Sequence, residues 1–314
     1  VTGAGEVQSE RTRLAVAGAR ATVAVALRNQ PRRDVILNAL FAGLLLLAIL
    51  LALAGLAALL IQALVRGAPA LGPDLFTNVP STINPEQAGF RPAIIGSLEL
   101  IAGVILFVVP IGVGAAIYLE EYADKTRWWN RVIEVNIQNL AAVPSIIYGI
   151  LGLAFIVRGP LDLGFILAAG SLTLALLVLP VVIIAGREAI RAVPDSIRQG
   201  SLALGATRWQ TIRHQVLPAA IPGVATGVIL AVSRALGEAA PLLLVGAVVF
   251  ITFDPTPFSA DGYSALPVQI FQYATRPQEA FQELAFAGVI VMLVVLLAMN
   301  SFAIWLRNRY EHRW

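Results

Sequence analysis

Six long apolar runs, separated by shorter polar and turn-rich stretches, organise this 314-residue chain. They fall at roughly 35–65, 92–119, 136–157, 164–185, 219–250 and 284–306. Each exceeds about 20 residues, which at 1.5 Å per residue crosses about 30 Å of hydrocarbon. The pattern predicts an all-α membrane protein with six transmembrane helices. The first and fifth runs are long enough to tilt or protrude. The connecting stretches at 67–91 and 252–283 are rich in Pro, Gly and aromatic residues and read as short ordered caps. No fixed-period repeat or low-complexity tract is visible.

Composition strengthens that reading. The chain is 58% hydrophobic and 13% charged, whereas an average soluble chain carries roughly 25% charged residues. Mean hydropathy is +0.80 and the sequence pI about 9.6. The basic residues cluster at the ends of the apolar runs, as membrane topology requires, so no nucleic-acid partner is expected. With the N-terminus inside, 17 Lys/Arg fall on inner segments and four (Arg66, Arg91, Arg158, Arg276) on outer ones. This positive-inside bias puts both termini, and the stretch 194–218, in the cytoplasm. Residues 1–34 carry six arginines. Within them 14–27 reads either as a surface-lying helix or as a disordered cytosolic lead-in. The first apolar run starts too late and runs too long for a cleavable signal peptide.

The chain has no cysteine, and its two histidines, His214 and His312, are isolated. Disulfides and thiolate chemistry are therefore excluded and no metal site is expected. Lys125 is the sole lysine and no G-x-x-x-x-G-K-[ST] occurs, so this chain builds no P-loop. If ATP drives its activity, another polypeptide hydrolyses it. No catalytic residue and no cofactor are expected in this chain.

The most informative polar stretch is PDSIRQGSLALGATRWQTIRHQVLP, residues 194–218. Pro194-Asp195 stops the preceding segment, and Asp195 or Ser196 is a suitable N-cap for a short helix over 196–204. Gly205 stands where a left-handed C-terminal residue is wanted. Thr207 and Gln210 have capping-box spacing, which restarts a helix running to about Val216. The expected product is two short helices joined by a glycine bend. Arg198, Arg208, Trp209 and Arg213 are residue types that favour a protein partner, although an ordinary amphipathic connector fits the stretch too.

This stretch resembles the EAA loop of ABC importer permeases, which docks into a nucleotide-binding subunit. Gly205, Leu217 and Pro218 match the motif at its spacing. Gln199-Gly200-Ser201 replaces the acidic-Ala-Ala opening, and Gln215 stands where an apolar residue is usual. The resemblance implies coupling to an ATPase through Gln199, Ala203, Gly205, Ala206, Arg208, Trp209, Leu217 and Pro218. With NLAAVPSIIYGILG, ALGATRWQTI and VSRALGEAAPLLLVGA, the chain from about Pro92 onward is similar to the permeases of phosphate importers. ALPVQIFQYATRPQEAF favours the PstA-type subunit over its PstC-type partner. The implied fold is that of type I ABC importer permeases. The implied organisation is a cytoplasmic segment (1–34), a first helix with its outer loop (35–91), a permease core (92–306) carrying the coupling loop 194–218, and a cytoplasmic tail (307–314). The implied partners are a second, PstC-like permease, two PstB-like ATPase subunits and an external PstS-like phosphate-binding protein, with inorganic phosphate as cargo.

Charges within the apolar runs are costly, at least about 2.5 kcal/mol each. Arg234 and Glu238 lie one helical turn apart in the fifth run (i, i+4) and so are expected to share a helical face. One reading is a self-neutralising structural pair. The other is a translocation path in which the planar guanidinium of Arg234 binds phosphate and Glu238 offsets its charge; the resemblance implies this role. Glu99 is a third charge, able to pair with Arg234 or to serve a structural or partner-facing role. Pro144, Ser145 and Gly149 would kink the third span for packing or line a cavity. Arg187 and Glu188 read as snorkelling topology residues, and Trp128-Trp129 as an interfacial belt. Rival functions are a permease for molybdate or sulfate, an ATP-independent carrier or channel, and a membrane scaffold. No paired broken helices or inverted halves are evident, which weakens the carrier reading.

Overall fold

A computed structural model describes residues 32–247, 250–258 and 262–310. The stretch 14–27, read as either a surface-lying helix or a disordered lead-in, and the tail residue His312 lie outside the described residues. The chain divides into two compact units, residues 1–61 and 62–314. Among the described residues all regular elements are helices, and the one β feature is an isolated bridge between Ala247 and Tyr263.

The first long helix, α1 (Arg32–Gly67), is apolar around its whole circumference. Its leucines and isoleucines from Ile36 to Ile61 are all exposed. A helix with no polar face and no buried stripe is suited to lipid as its solvent.

The second unit is built round α5 (Leu167–Arg191), which packs along both α2 (Arg91–Ile117) and α8 (Leu217–Gly237). Small residues set the α5–α8 approach. A Cβ on Gly227 would stand 2.3 Å from that of Ala185, and one on Gly223 2.7 Å from that of Ala189. Close backbone approach through a small-xxx-small stripe is how helices associate where lipid removes the hydrophobic drive. Val104, Val108, Leu174, Val178, Val182 and Ala231 fill the main core between these helices. A second core joins Phe90 to Tyr273 and Phe281, on α10 (Leu266–Ala274) and α11 (Glu279–Tyr310). Fully buried Gln269 satisfies itself there by donating to the Gly89 carbonyl (3.0 Å) and the Tyr273 hydroxyl (3.1 Å). Two connections cap this end: Arg91 meets Asp254 at 2.5 Å, and Arg276 donates to the Thr82 carbonyl at 2.7 Å.

Among the described residues five helices are long and apolar enough to cross a membrane, and one bent helix pair makes a sixth if it counts as a single span. The third apolar run is not one helix over 136–157. Helix α3 (Trp128–Ala141) and helix α4 (Ser145–Leu151), which continues as a π turn to Val157, meet at 108°. Pro144 is the cause: it lacks an N–H and biases Val143 away from helical ψ. The fifth span also ends earlier than its apolarity suggests. Helix α8 stops at Gly237, and after two residues a short helix, α9 (Ala240–Leu244), begins with Pro241 in its first turn.

Candidate functional site

At the 194–218 stretch the structure builds a helix, a bend and a second helix. Helix α6 spans Asp195–Ala203, with Pro194 at the N-cap position and no side-chain cap. The expected capping by Asp195 or Ser196 does not occur: Asp195 is already the first helical residue, and its carboxylate turns to Arg198 at 3.1 Å. At the other end Gly205 has φ +85°. Its N–H donates to the Leu202 carbonyl, and the Ala206 N–H reaches the Ser201 carbonyl, the two bonds of a Schellman motif. Thr207 then caps α7 (Arg208–Thr211) through the expected reciprocal box with Gln210. The second helix does not stop at Val216. A π turn, Ile212–Val216, carries it without a break into α8. Pro218 explains the widened turn, because an ordinary α turn would set its ring against the carbonyl four residues back.

The knuckle so formed presents Gln199, Leu202, Ala203, Leu204, Gly205 and Trp209 to the exterior. Leu204 is 91% exposed. Ala206, Leu217 and Pro218 are half-buried. The inner side is anchored by the Ser201–Thr211 hydroxyl contact (2.9 Å) and by Ile212 and Val216, both buried.

Two of the loop's four partner-type residues are committed within the chain. All five N–H groups of Arg198 are used: Nε and Nη2 donate to Glu121 Oε1 at 3.0 and 2.9 Å, Nη2 also to the Ile190 carbonyl (2.8 Å), and Nη1 to the Val193 carbonyl (2.5 Å) and Asp195 Oδ1 (3.1 Å). Arg208, an exposed residue, donates to the Glu121 carbonyl and lies over the Tyr122 ring at 5.1 Å. Trp209 and Arg213 face outward.

Glu121 belongs to a π turn, Tyr118–Tyr122, that ends α2. Its neighbour Glu120, 5% exposed, is ringed by Lys125 (2.8 Å), Arg191 (3.0 Å) and Arg187 (3.6 Å). Arg187 also reaches Glu134 at 2.8 Å and is only 8% exposed. The snorkelling reading of Arg187 therefore fails, because the guanidinium turns inward to carboxylates on α3 and the end of α2. Sequence reasoning passed over Glu120-Glu121. The available signal was two adjacent acids closing an apolar run, just before a basic cluster.

The intramembrane charges are arranged differently. Arg234 Nε meets Glu238 Oε1 at 3.4 Å, with the arginine 44% and the glutamate 19% exposed. Glu238 is not on the helix: it is the extended C-cap residue, φ −86° and ψ 110°. A cation in the last turn is favoured by the helix dipole. Glu99 makes no hydrogen bond to Arg234, and its Oε2 is buried without a partner among the described residues. Ser145 is the first, half-buried residue of α4. A Cβ on Gly149 would lie 2.7 Å from the Pro241 Cα, so α4 rests on the segment just beyond Glu238.

A family model described as "binding-protein-dependent transport system inner membrane component" matches residues 108–313. The chain belongs to this family of transport-system permeases. Among its relatives is the phosphate transport system permease protein PstA of Haemophilus influenzae, 35% identical over 88% of this chain and 94% of that protein. PstA 1 of Mycobacterium tuberculosis is 35% identical over 71% of this chain and 72% of its own length. Among solved structures, a bacterial alginate ABC transporter bound to its alginate-loaded periplasmic protein aligns with TM-score 0.64 at 19% identity, covering 88% of this chain and 96% of that one. The fold is therefore that of ABC importer permeases, and the permease is a multi-pass inner-membrane component.

Proposed function

We infer that this permease is the PstA-type membrane subunit of an ATP-driven inorganic phosphate importer. The observation that carries the reading is a conjunction. A chain matching a phosphate permease over nearly the whole of that protein also displays an exposed apolar knuckle around a left-handed glycine, the shape a nucleotide-binding subunit can grip. It is not an enzyme, and ATP hydrolysis belongs to a separate subunit. The assembly comprises this chain, a PstC-like second permease, two PstB-like ATPase subunits and an external PstS-like binding protein. The positive-inside bias of the sequence supports a cytoplasmic knuckle and cytoplasmic termini.

In this reading Leu202, Leu204 and Trp209 seat in the ATPase, with Gln199, Ala203 and Gly205 completing the contact. Closure of the ATPase pair pushes the knuckle. Because α7 is continuous with α8, the push is delivered directly to the helix that carries Arg234. Arg234, nearly half exposed beside Glu238, offers phosphate a planar pair of donors, and the glutamate keeps the site from holding the anion too tightly. Ser145 and Glu99 are secondary candidates for the path.

The test is radiolabelled phosphate uptake into vesicles holding all subunits, with and without ATP and with sulfate and molybdate as competitors. ATP-dependent uptake that resists both competitors is the expected result. ATP-dependent uptake of a competitor would replace the substrate, and uptake indifferent to ATP would overturn the coupling role of the knuckle.

A further inference from the structure

We propose that Arg198 and Glu121 lock helix α6 to the end of α2, so that the two move as one body during transport and Arg198 is a positioning residue, not an ATPase contact. The proposal rests on the coupling role of the knuckle. Its first support is donor accounting. A guanidinium has five N–H groups and no acceptor, and all five of Arg198 are taken by this chain. None is left for a partner.

The second support is where the acceptors lie. They come from the end of α5 (Ile190), the connector (Val193), the first residue of α6 (Asp195) and the π turn of α2 (Glu121). One side chain thus ties the corner between α5 and α6 to the end of α2, which lies 77 residues earlier in the sequence. The pair is largely removed from solvent, with Arg198 17% and Glu121 9% exposed. Separating it would strand a charge on each side, which strongly disfavours an opened state.

The third support is a second tie on the other arm of the knuckle. The last carbonyls of a helix lack intrahelical partners. Arg208, from α7, donates to one of them, the Glu121 carbonyl, and covers Tyr122. Both arms of the knuckle therefore hold the same turn of α2. A push on α6 reaches α2 directly, in addition to the continuous path through α7 into α8. The sequence departure at the start of the motif fits this arrangement: Gln199 is exposed and uncharged, while the charged anchor sits one residue earlier and faces inward.

Because this chain has no cysteine, it can be labelled at chosen positions before assembly with its partner subunits, which permits a direct test in the complete complex. Spin labels on Tyr118→Cys and Ser196→Cys, both exposed positions, report the distance between the α2 turn and α6. One narrow distance, the same without nucleotide and with trapped ATP, is expected, and Arg198→Gln or Glu121→Gln should broaden it. The same two variants should retain the ATPase subunits and their ATP turnover, yet lower the phosphate transported per ATP several-fold. A label distance that changes with nucleotide in the unmodified pair overturns the single-body assignment. So does loss of ATPase subunits from Arg198→Gln but not from Glu121→Gln, which would make Arg198 a direct contact. An unchanged phosphate-to-ATP ratio in both variants would reduce the pair to a structural tie and likewise overturn it. If the unmodified complex transports no phosphate, the substrate reading fails, and the label distance still decides the lock.

Discussion

Gly227 on α8 faces Ala185 on α5 so closely that an added methyl would lie 2.3 Å from the alanine Cβ. No flexible side chain is present there to yield, so the helices themselves must separate. Gly227→Ala should lower stability by about 1–3 kcal/mol, the usual cost of overpacking. Because α5 also carries α2, the loosening should spread beyond the one contact. Thermal unfolding in detergent checks this, with Gly114→Ala as control, since a Cβ at Gly114 meets nothing within 4 Å. Equal melting temperatures for the two variants would remove the α5–α8 stripe from the packing argument.

Arg234 and Glu238 make a prediction that separates transport from assembly. Arg234→Gln removes the charge and the fork at a half-exposed site, so uptake should be abolished while the complex still assembles. Glu238→Gln leaves Arg234 without its 3.4 Å counter-charge, and the anion should then be held longer, slowing uptake without eliminating it. Purification of the tagged complex followed by vesicle uptake distinguishes the two. Normal uptake by Arg234→Gln would take this arginine out of the phosphate path.

The six apolar runs were legible because hydrophobic length is a strong signal. Gly205 and the Thr207–Gln210 box were legible because bends and caps are local chemistry. What escaped the sequence was tertiary. Residues 136–157 look like one span because apolarity does not register a 108° bend, although Pro144 marks its place. The fifth run stays apolar past Gly237, which hides the helix end and moves Glu238 off the helical face it was expected to share with Arg234. Arg187 reads as a snorkelling residue because its counter-charges, Glu120 and Glu134, lie more than fifty residues away in sequence. The inward turn of Arg198 and Arg208 depends likewise on a π turn at the end of α2 that no local pattern announces.

Gly205 at φ +85° predicts a ranking of substitutions. Asn tolerates the left-handed region better than other non-glycine residues, Ala less well, and a β-branched residue least. Nothing lies within 4 Å of a Cβ at this position, so any loss reflects backbone conformation and not a clash. Uptake should therefore fall in the order Gly, Asn, Ala, Val, with the Ala penalty about 1–2 kcal/mol. A Val variant that transports like the native chain would show that the bend is not needed in the working complex.

Leu204, at 91% exposure, makes almost no contribution to this chain's own packing, and Trp209, at 50%, presents half of its surface on the outer side of the knuckle. Leu204→Ser combined with Trp209→Ser should lower the melting temperature of the isolated permease only slightly and sharply reduce retention of the ATPase subunits on co-purification. Aromatic anchors of this kind commonly contribute 2 kcal/mol or more to an interface, roughly a thirtyfold loss of affinity. Retention equal to that of the native chain would mean the ATPase grips another surface.

Glu120 and Glu134 both pair with Arg187, yet they should respond very differently to neutralisation. Glu120 is 5% exposed and is shared by Lys125, Arg187 and Arg191, whereas Glu134 is 40% exposed. Glu120→Gln withdraws the charge that offsets three cations, one of them the buried Arg187. Breaking such a buried arrangement costs about 3–5 kcal/mol. Glu134→Gln removes a half-solvated partner, and exposed pairs contribute about 0–1 kcal/mol. Chemical denaturation of the detergent-solubilised permease should therefore rank Glu120→Gln well below Glu134→Gln, which should stay close to the native chain. Arg187→Met should recover part of the stability lost in Glu120→Gln, since it removes the stranded cation and keeps an apolar stem in the same space. Additive losses in that double variant would show that Arg187 does not depend on Glu120.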